Sequence, residues 1–289
     1  MPVIQPATSL SKLSVAGSEQ TAKLLMHAEA FLSELPPIRI LTRCPVLVER
    51  DGQLIQVSGY DRESGILAAG GPAPDVPLGV AIEMLYEMLA EFRFATPSDQ
   101  SRALASFITP ALVFGSLLGG RPPIDLGEAD KSQAGKGFKN RLAAAVYYAI
   151  IKSITQRKGG VGSLGEAFDT ALVNGRSFIS FDNIRGNIDL PSLESFMTED
   201  VYQARVPYLA GVDIDPKRIV VMMTSNKAEV TTDLANRSSC VRILKQVSCP
   251  PRTDPCVMRV FVVSCGDTER RLSDEAEASQ CGGDYPEAA

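Results

Sequence analysis

The sequence has no unbroken apolar run approaching the roughly 18 residues that span a bilayer, so it offers no membrane-spanning helix. Its opening stretch, MPVIQPATSLSKLSVAGSEQ, carries a single lysine and no continuous apolar segment. That argues against a secretory signal and leaves the cytoplasm as the expected location. Histidine occurs once, at His27 in LLMHAEAFL, inside helix-like sequence. The six cysteines contain no C-x-x-C pair, and Cys249, Cys256, Cys265 and Cys281 lie far along the chain from His27. A structural zinc site and a catalytic Cys–His pair therefore lack their parts. Without a secretion signal, the cysteines do not read as a disulfide framework. No internal repeat is visible.

What is present suits a folded protein: 289 residues, 45% hydrophobic and 22% charged, with a net charge of −5. This length allows one large or two modest domains. The acidic balance argues against a generally basic nucleic-acid coat. One stretch runs the other way. From Lys131 to Gly160 there are seven basic residues (Lys131, Lys136, Lys139, Arg141, Lys152, Arg157, Lys158) and no acidic one. It can meet the phosphates of a nucleotide or of nucleic acid, or it is simply a solvated helix face and a basic loop.

Helical spacing of Leu24, Ala28, Phe31 and Leu35 predicts an entry helix over about 18–35, stopped by Pro36-Pro37. IRILT, CPVLVER and QLIQVSG, with Asp51-Gly52 as a turn, predict a small β-hairpin module. Two helices are expected over 77–94 and 98–118. From Ile124 to about Leu244, apolar runs alternate with helical patterns, which predicts an α/β layer with parallel strands. The expected strands are Ile124–Glu128, Ser177–Asp182, Arg218–Thr224 and Cys240–Leu244, with a long helix from about Gly135 to Ile154. The chain thus divides into an N-terminal helix and β-hairpin module (1–76), an α/β domain with leading helices (77–245) and a partly disordered tail (246–289).

EADKSQAGKGFKN, between a predicted strand and a predicted helix, has the setting of a phosphate-binding loop. A helix N-terminus presents unpaired N–H groups, glycine lets the backbone approach phosphate, and a lysine at the helix start reaches the terminal phosphates. Gly135 and Lys136 fill those places, within a binding segment of Lys131, Ser132, Gln133, Ala134, Gly135, Lys136, Gly137 and Phe138. Two positions depart from G-x-x-x-x-G-K-[ST]: Asp130 replaces the first glycine, and Gly137 replaces the hydroxyl residue that holds magnesium. RSFISFDN ends in Asp182, placed to bind magnesium, and in Asn183, where an acidic residue that polarises water is often found. RIVVMMTSN ends in Thr224, Ser225 and Asn226, and Asn226 can touch a γ-phosphate or position water. In TTDLANRSSCVRI, Arg237 ends a short helix, where it can reach a nucleotide on a neighbouring subunit. Arg242 and Arg185 are weaker candidates, closer to ordinary ion-pair partners.

The order Lys136, Asp182, Asn226, Arg237, and the phrases FISFDNIRG, MTSN and DLANRSS, resemble the AAA+ ATPases related to superfamily 3 helicases. The likeness is to helicase-like or primase-associated proteins of phages, plasmids and other mobile elements. It implies a P-loop NTPase sheet of the AAA+ kind flanked by helices, with ATP and Mg²⁺ as cofactors. It assigns Lys136 to the β- and γ-phosphates, Asp182 to the metal, Asn226 to the γ-phosphate or attacking water, and Arg237 to a site across a subunit boundary. By resemblance the chain is a ring-forming ATPase that moves or opens single-stranded or forked DNA. Asn183 and Gly137 keep a second reading open, a nucleotide-binding switch or assembly module with slow or no hydrolysis. The same architecture also serves small-molecule kinases.

Overall fold

The computed structural model describes residues 18–155, 163–184, 187–188, 190–205, 211–226 and 229–245. Arg157, Lys158, Arg185 and the tail from Gln246 lie outside the described residues.

The entry helix forms as two pieces, α1 (Glu19–Met26) and α2 (Glu29–Glu34), because Ala28 is extended and caps the second. The β-module follows as β1 (Ile40–Thr42), β2 (Val46–Arg50), β3 (Gln53–Val57), β4 (Gly59–Asp61) and β5 (Ile66–Ala68). Strands β2 and β3 pair antiparallel around Asp51 and Gly52, whose φ angles of 51° and 73° are the two positive values a tight hairpin turn needs. Strand β5 pairs with β1 in parallel and with β4 in antiparallel fashion.

Helix α3 (Leu78–Leu89) then leads to α4 (Pro97–Phe114). Thr96 caps α4 by accepting from Asp99 N–H, with Pro97 at the first position, where a missing N–H is harmless. Ala103, Phe107, Pro110, Val113 and Phe114 make its buried face, at helical spacing. The β2–β3 hairpin lies close against the end of this helix. A Cβ on Gly115 would stand 2.0 Å from the Leu47 carbonyl oxygen, so only glycine fits there. Val46, Val48 and Ile66 of the module share one buried cluster with Phe107, Phe114 and Phe178.

The remaining order is β6 (Ile124–Ala129), α5 (Lys136–Val146), β7 (Lys152–Thr155), α6 (Leu164–Val173), β8 (Phe178–Ile184), β9 (Asn187–Ile188), α7 (Pro191–Thr198), β10 (Tyr202–Ala204), β11 (Val212–Ile214), β12 (Val220–Ser225), β13 (Glu229–Val230), α8 (Thr232–Asn236) and β14 (Ser238–Ile243). Five of these strands form one all-parallel sheet in the order β14-β6-β12-β8-β7. Alternate residues feed two cores. Phe178, Val220, Met222, Val241 and Ile243 pack on the side of α4 and α5, while Ile179, Phe181, Val221, Met223, Ile124 and Leu126 pack on the side of α6, α7 and α8. Burial of both faces explains why β12 reads as an unbroken apolar run before its polar end. This is an α/β fold, a five-stranded all-parallel sheet flanked by helices.

The long helix expected to reach Ile154 stops at Val146, and β7 occupies its last residues. Tyr147 turns out of the helix to donate its hydroxyl to the Phe107 carbonyl and to accept from Ala111 N–H. Tyr148 then takes a φ of 51°, which no helix tolerates. Ile154 is buried in the second core, and Lys152–Thr155 forms the edge of the sheet beside β8.

Candidate functional site

Strand order brings the predicted site residues together. Strand β6, which leads into the candidate phosphate loop, and strand β8, which carries Asp182, are not neighbours, since β12 lies between them. The carboxyl end of β12 therefore projects its polar residues into the gap between Lys136 and Asp182. In open α/β sheets such carboxyl ends are where ligands bind.

Gly135 caps α5 with a φ of 92°, and Gln133 in the same loop has a φ of 63°. That backbone turns the first N–H groups of an 11-residue helix toward the strand ends. Lys131, Ser132 and Gln133 are exposed, Ala134, Gly135 and Gly137 are partly covered, and Lys136 is buried. The Lys136 ammonium donates to Asn226 Oδ1 at 2.5 Å. Burial pushes its pKa down, against the opposing pull of Asp182, Asp130 and Glu128. A buried cation whose charge is penalised by desolvation is relieved by an arriving anion. Phe138 sits on the outer face, stacked on Phe92 with ring centroids 6.1 Å apart. Phe92 also closes over the loop, 3.3 Å from where a Cβ on Gly135 would be.

From Lys136 a chain of hydrogen bonds continues across the strand ends. Asn226 Nδ2 donates to Asn183 Oδ1 at 3.2 Å, Asn183 N–H donates to Thr224 Oγ1 at 2.7 Å, and the Thr224 hydroxyl donates to Asp182 Oδ1 at 2.6 Å. Four of the five candidate catalytic residues, Lys136, Asp182, Asn183 and Asn226, thus share one constellation.

Arg237 stands elsewhere. Its carbonyl accepts from Ile124 N–H at the first residue of β6, whereas the candidate phosphate loop follows the last. Six strand residues separate the two by about 20 Å. Its guanidinium holds Asp233 at 3.1 Å and the Met197 carbonyl at 3.2 Å. Arg242 pairs with Asp99, and His27 is exposed at the end of α1.

The departures from the phosphate-loop pattern have physical readings. Asp130 accepts from Lys245 N–H at 3.1 Å, so it ties the segment after β14 to the loop. That bond is the main cause of its carboxyl lying below the usual range. At Gly137 an added Cβ would lie 3.9 Å from Asp182 Oδ1, which leaves room beside the carboxylate. Asn183 has a φ of 54°, a left-handed conformation that asparagine enters more readily than glutamate.

The basic stretch does not form one face. Lys139 is fully buried, with Nζ 2.6 Å from both Asp125 oxygens, and Lys136 points into the site. Lys131, Arg141 and Lys152 are exposed. Sequence reasoning placed Lys139 in the basic stretch and did not foresee its pairing with Asp125. It also passed over Phe92, whose place in FRF just before α4 gave no hint of contact with the loop.

A polyphosphate with a divalent cation fits these groups: helix N–H donors and Lys136 for the anion, and the Asp182 carboxylate for the metal. Among the described residues no cluster of three or more His, Cys, Asp or Glu could hold a metal by itself, and no helix is long and apolar enough to cross a membrane.

No protein-family model matches the sequence, and no curated protein matches it. Among solved structures, the chain is similar to the apo C-terminal region of NrS-1, with 12% identity, a TM-score of 0.37, and coverage of 75% of this chain and 49% of that one. It is also similar to a JCV helicase with a bound small molecule, with 12% identity, a TM-score of 0.33, and coverage of 59% of this chain and 52% of that one. The chain thus spans about half the length of each. The fold assignment rests on the sheet itself rather than on these likenesses.

Proposed function

We propose that the chain binds and hydrolyses ATP as an AAA+-type ATPase, and that it works as a ring-forming, helicase-like motor on single-stranded or forked DNA in the replication of a phage or other mobile element. The observation that carries the nucleotide reading is the continuous hydrogen-bonded line from Lys136 through Asn226, Asn183 and Thr224 to Asp182. It runs from the N-terminus of α5 across the ends of two adjacent strands, β12 and β8. In this reading the loop Lys131–Phe138 wraps the phosphates, and Lys136 exchanges Asn226 for the β- and γ-oxygens. Asn226, released by Lys136, orients the attacking water or the γ-phosphate. Asp182 holds Mg²⁺, which when bound draws negative charge from the phosphate oxygens.

Arg237 is too distant to serve its own site, so its catalytic role requires a second copy of the chain. An arginine supplied this way accelerates transfer by about 10³–10⁵. The DNA part of the proposal rests on the resemblance of the motif phrases and on the exposed Lys131, Arg141 and Lys152. A cytoplasmic setting belongs to the same proposal.

Asn183 favours a second reading. Its amide cannot take a proton from water, and its oxygen already accepts from Asn226. A nucleotide-operated assembly switch needs no such base. In that case ATP at 100 times its dissociation constant adds about 2.7 kcal/mol of stability without turnover.

Phosphate release by the purified protein with Mg²⁺ and ATP, with and without single-stranded DNA, separates the two. The motor predicts DNA-stimulated release that Lys136→Ala reduces by about 10²–10³, the range for losing one transition-state donor. Nucleotide binding without release selects the switch, and absence of binding rejects both.

A further inference from the structure

Strands β8 and β12 run parallel in register up to Phe181 and Met223, then slip, so that Ile184 faces Ser225. Two residues, Asp182 and Asn183, therefore oppose a single one, Thr224. A bulge is uncommon between parallel strands, and bulges beside active sites re-aim side chains. This one is stabilised by the Thr224 side chain. Its hydroxyl oxygen accepts Asn183 N–H at 2.7 Å, replacing the ladder bond lost at the slip, and its proton goes to Asp182 Oδ1 at 2.6 Å. Thr224 is only 2% exposed, so the hydroxyl works shielded from water.

We infer that Thr224 is a positioning residue that fixes the Asp182 carboxylate for the divalent cation, a role that rests on the nucleotide reading above. The chemistry follows from what the loop lacks. Where other phosphate loops place a Ser or Thr hydroxyl on the metal, this one has Gly137, so Asp182 is the side chain left to orient the cation. A carboxylate offers about four acceptor sites and rotates about its last bond. Thr224 occupies one site on Oδ1 and stops the rotation, which leaves Oδ2 at a defined place for the metal or its water. Outer partners of metal ligands act in this way, and their loss typically weakens metal affinity by about 10–100-fold.

The test measures binding rather than turnover. Fluorescent ATP analogue is titrated onto the full chain without metal and at rising Mg²⁺, and Mn²⁺ uptake by the protein–nucleotide complex is followed by electron paramagnetic resonance. Thr224→Val keeps the shape and removes the hydroxyl, while Thr224→Ser keeps the hydroxyl. The inference expects Thr224→Val to need about tenfold more Mg²⁺ or Mn²⁺ for the same effect. Metal-free nucleotide binding should stay at the wild-type level, and Thr224→Ser should behave as wild type. If Thr224→Val does not fold, Thr224→Cys replaces it, since a thiol is a weak donor, and the same metal-specific loss is expected. Equal metal dependence in all variants overturns the inference, as does a matched loss of metal-free binding. Wild-type protein that binds no nucleotide at all overturns the nucleotide reading itself.

Discussion

The two ends of the parallel sheet are built differently. At the carboxyl ends of β12 and β8, polar side chains of the two strands are tied to one another and to Lys136 at the start of α5. At the amino ends of β6 and β14, the one candidate catalytic group, Arg237, is tied to Asp233 on its own helix and to a carbonyl of α7. The second end presents a partly exposed cation that reaches nothing in its own site. One chain thus carries a cluster of candidate phosphate and metal residues at one end of the sheet, and at the other an arginine that the proposed function assigns to a neighbouring copy.

The largest stability effect expected from breaking this contrast lies beneath the assembled end. Lys139 and Asp125 pin α5 to β6 through a buried ion pair, so Lys139→Met leaves an uncompensated carboxylate and costs about 3–5 kcal/mol in urea unfolding. The double variant with Asp125→Leu should recover most of that loss, because two apolar groups of similar size replace two paired charges. Substitution of Asp233, which holds Arg237 from a half-exposed position, should by contrast stay within the small range of surface pairs.

A smaller effect is expected at the bulge. Asn183→Val forces a β-branched residue into the left-handed region and should lower stability by about 1–2 kcal/mol. Asn183→Gly, measured in the same unfolding series, should lose little. The smallest effect concerns the strand middles between the two ends. The Cys240 thiol is pushed up to about 12, mainly by burial and then by the nearby Glu128 charge. Its folded pKa lies above the ordinary thiol value, so at pH 8 it stays protonated. Peptide mapping after iodoacetamide treatment should find Cys240 unmodified in the native protein and modified in urea.

Much of the assembled end was legible in the sequence, because each of its parts closes a recognisable run. Phe178–Phe181 is mainly apolar up to Asp182, Val220–Met223 is apolar up to the polar Thr224, Ser225 and Asn226, and the glycine-bearing loop after Ile124–Ala129 ends at Lys136. Strand β7 was hidden because Ala143–Ala149 continues a helical composition and only the Tyr147 bonds to α4 break it. The split of the entry helix at Ala28 had the same character, with no proline or glycine to announce it. The tie between Thr224 and Asp182 could not be read at all, since it depends on a one-residue slip between strands far apart in sequence. Lys139 looked like part of a basic face for a similar reason: its partner Asp125 lies on the preceding strand, one layer down.

The separation of Arg237 from Lys136 is the central claim, and subunit mixing tests it most directly. Lys136→Ala and Arg237→Ala proteins are prepared separately, and phosphate release from Mg²⁺–ATP is measured for each alone and for the mixture. The account predicts that each is nearly inactive alone and that Arg237→Ala still binds nucleotide as wild type does. Mixing should restore release, because intact Lys136 sites then meet intact Arg237 residues from the other protein. Full activity of Arg237→Ala on its own, or loss of its nucleotide binding, would contradict the assignment of this arginine to a neighbouring site.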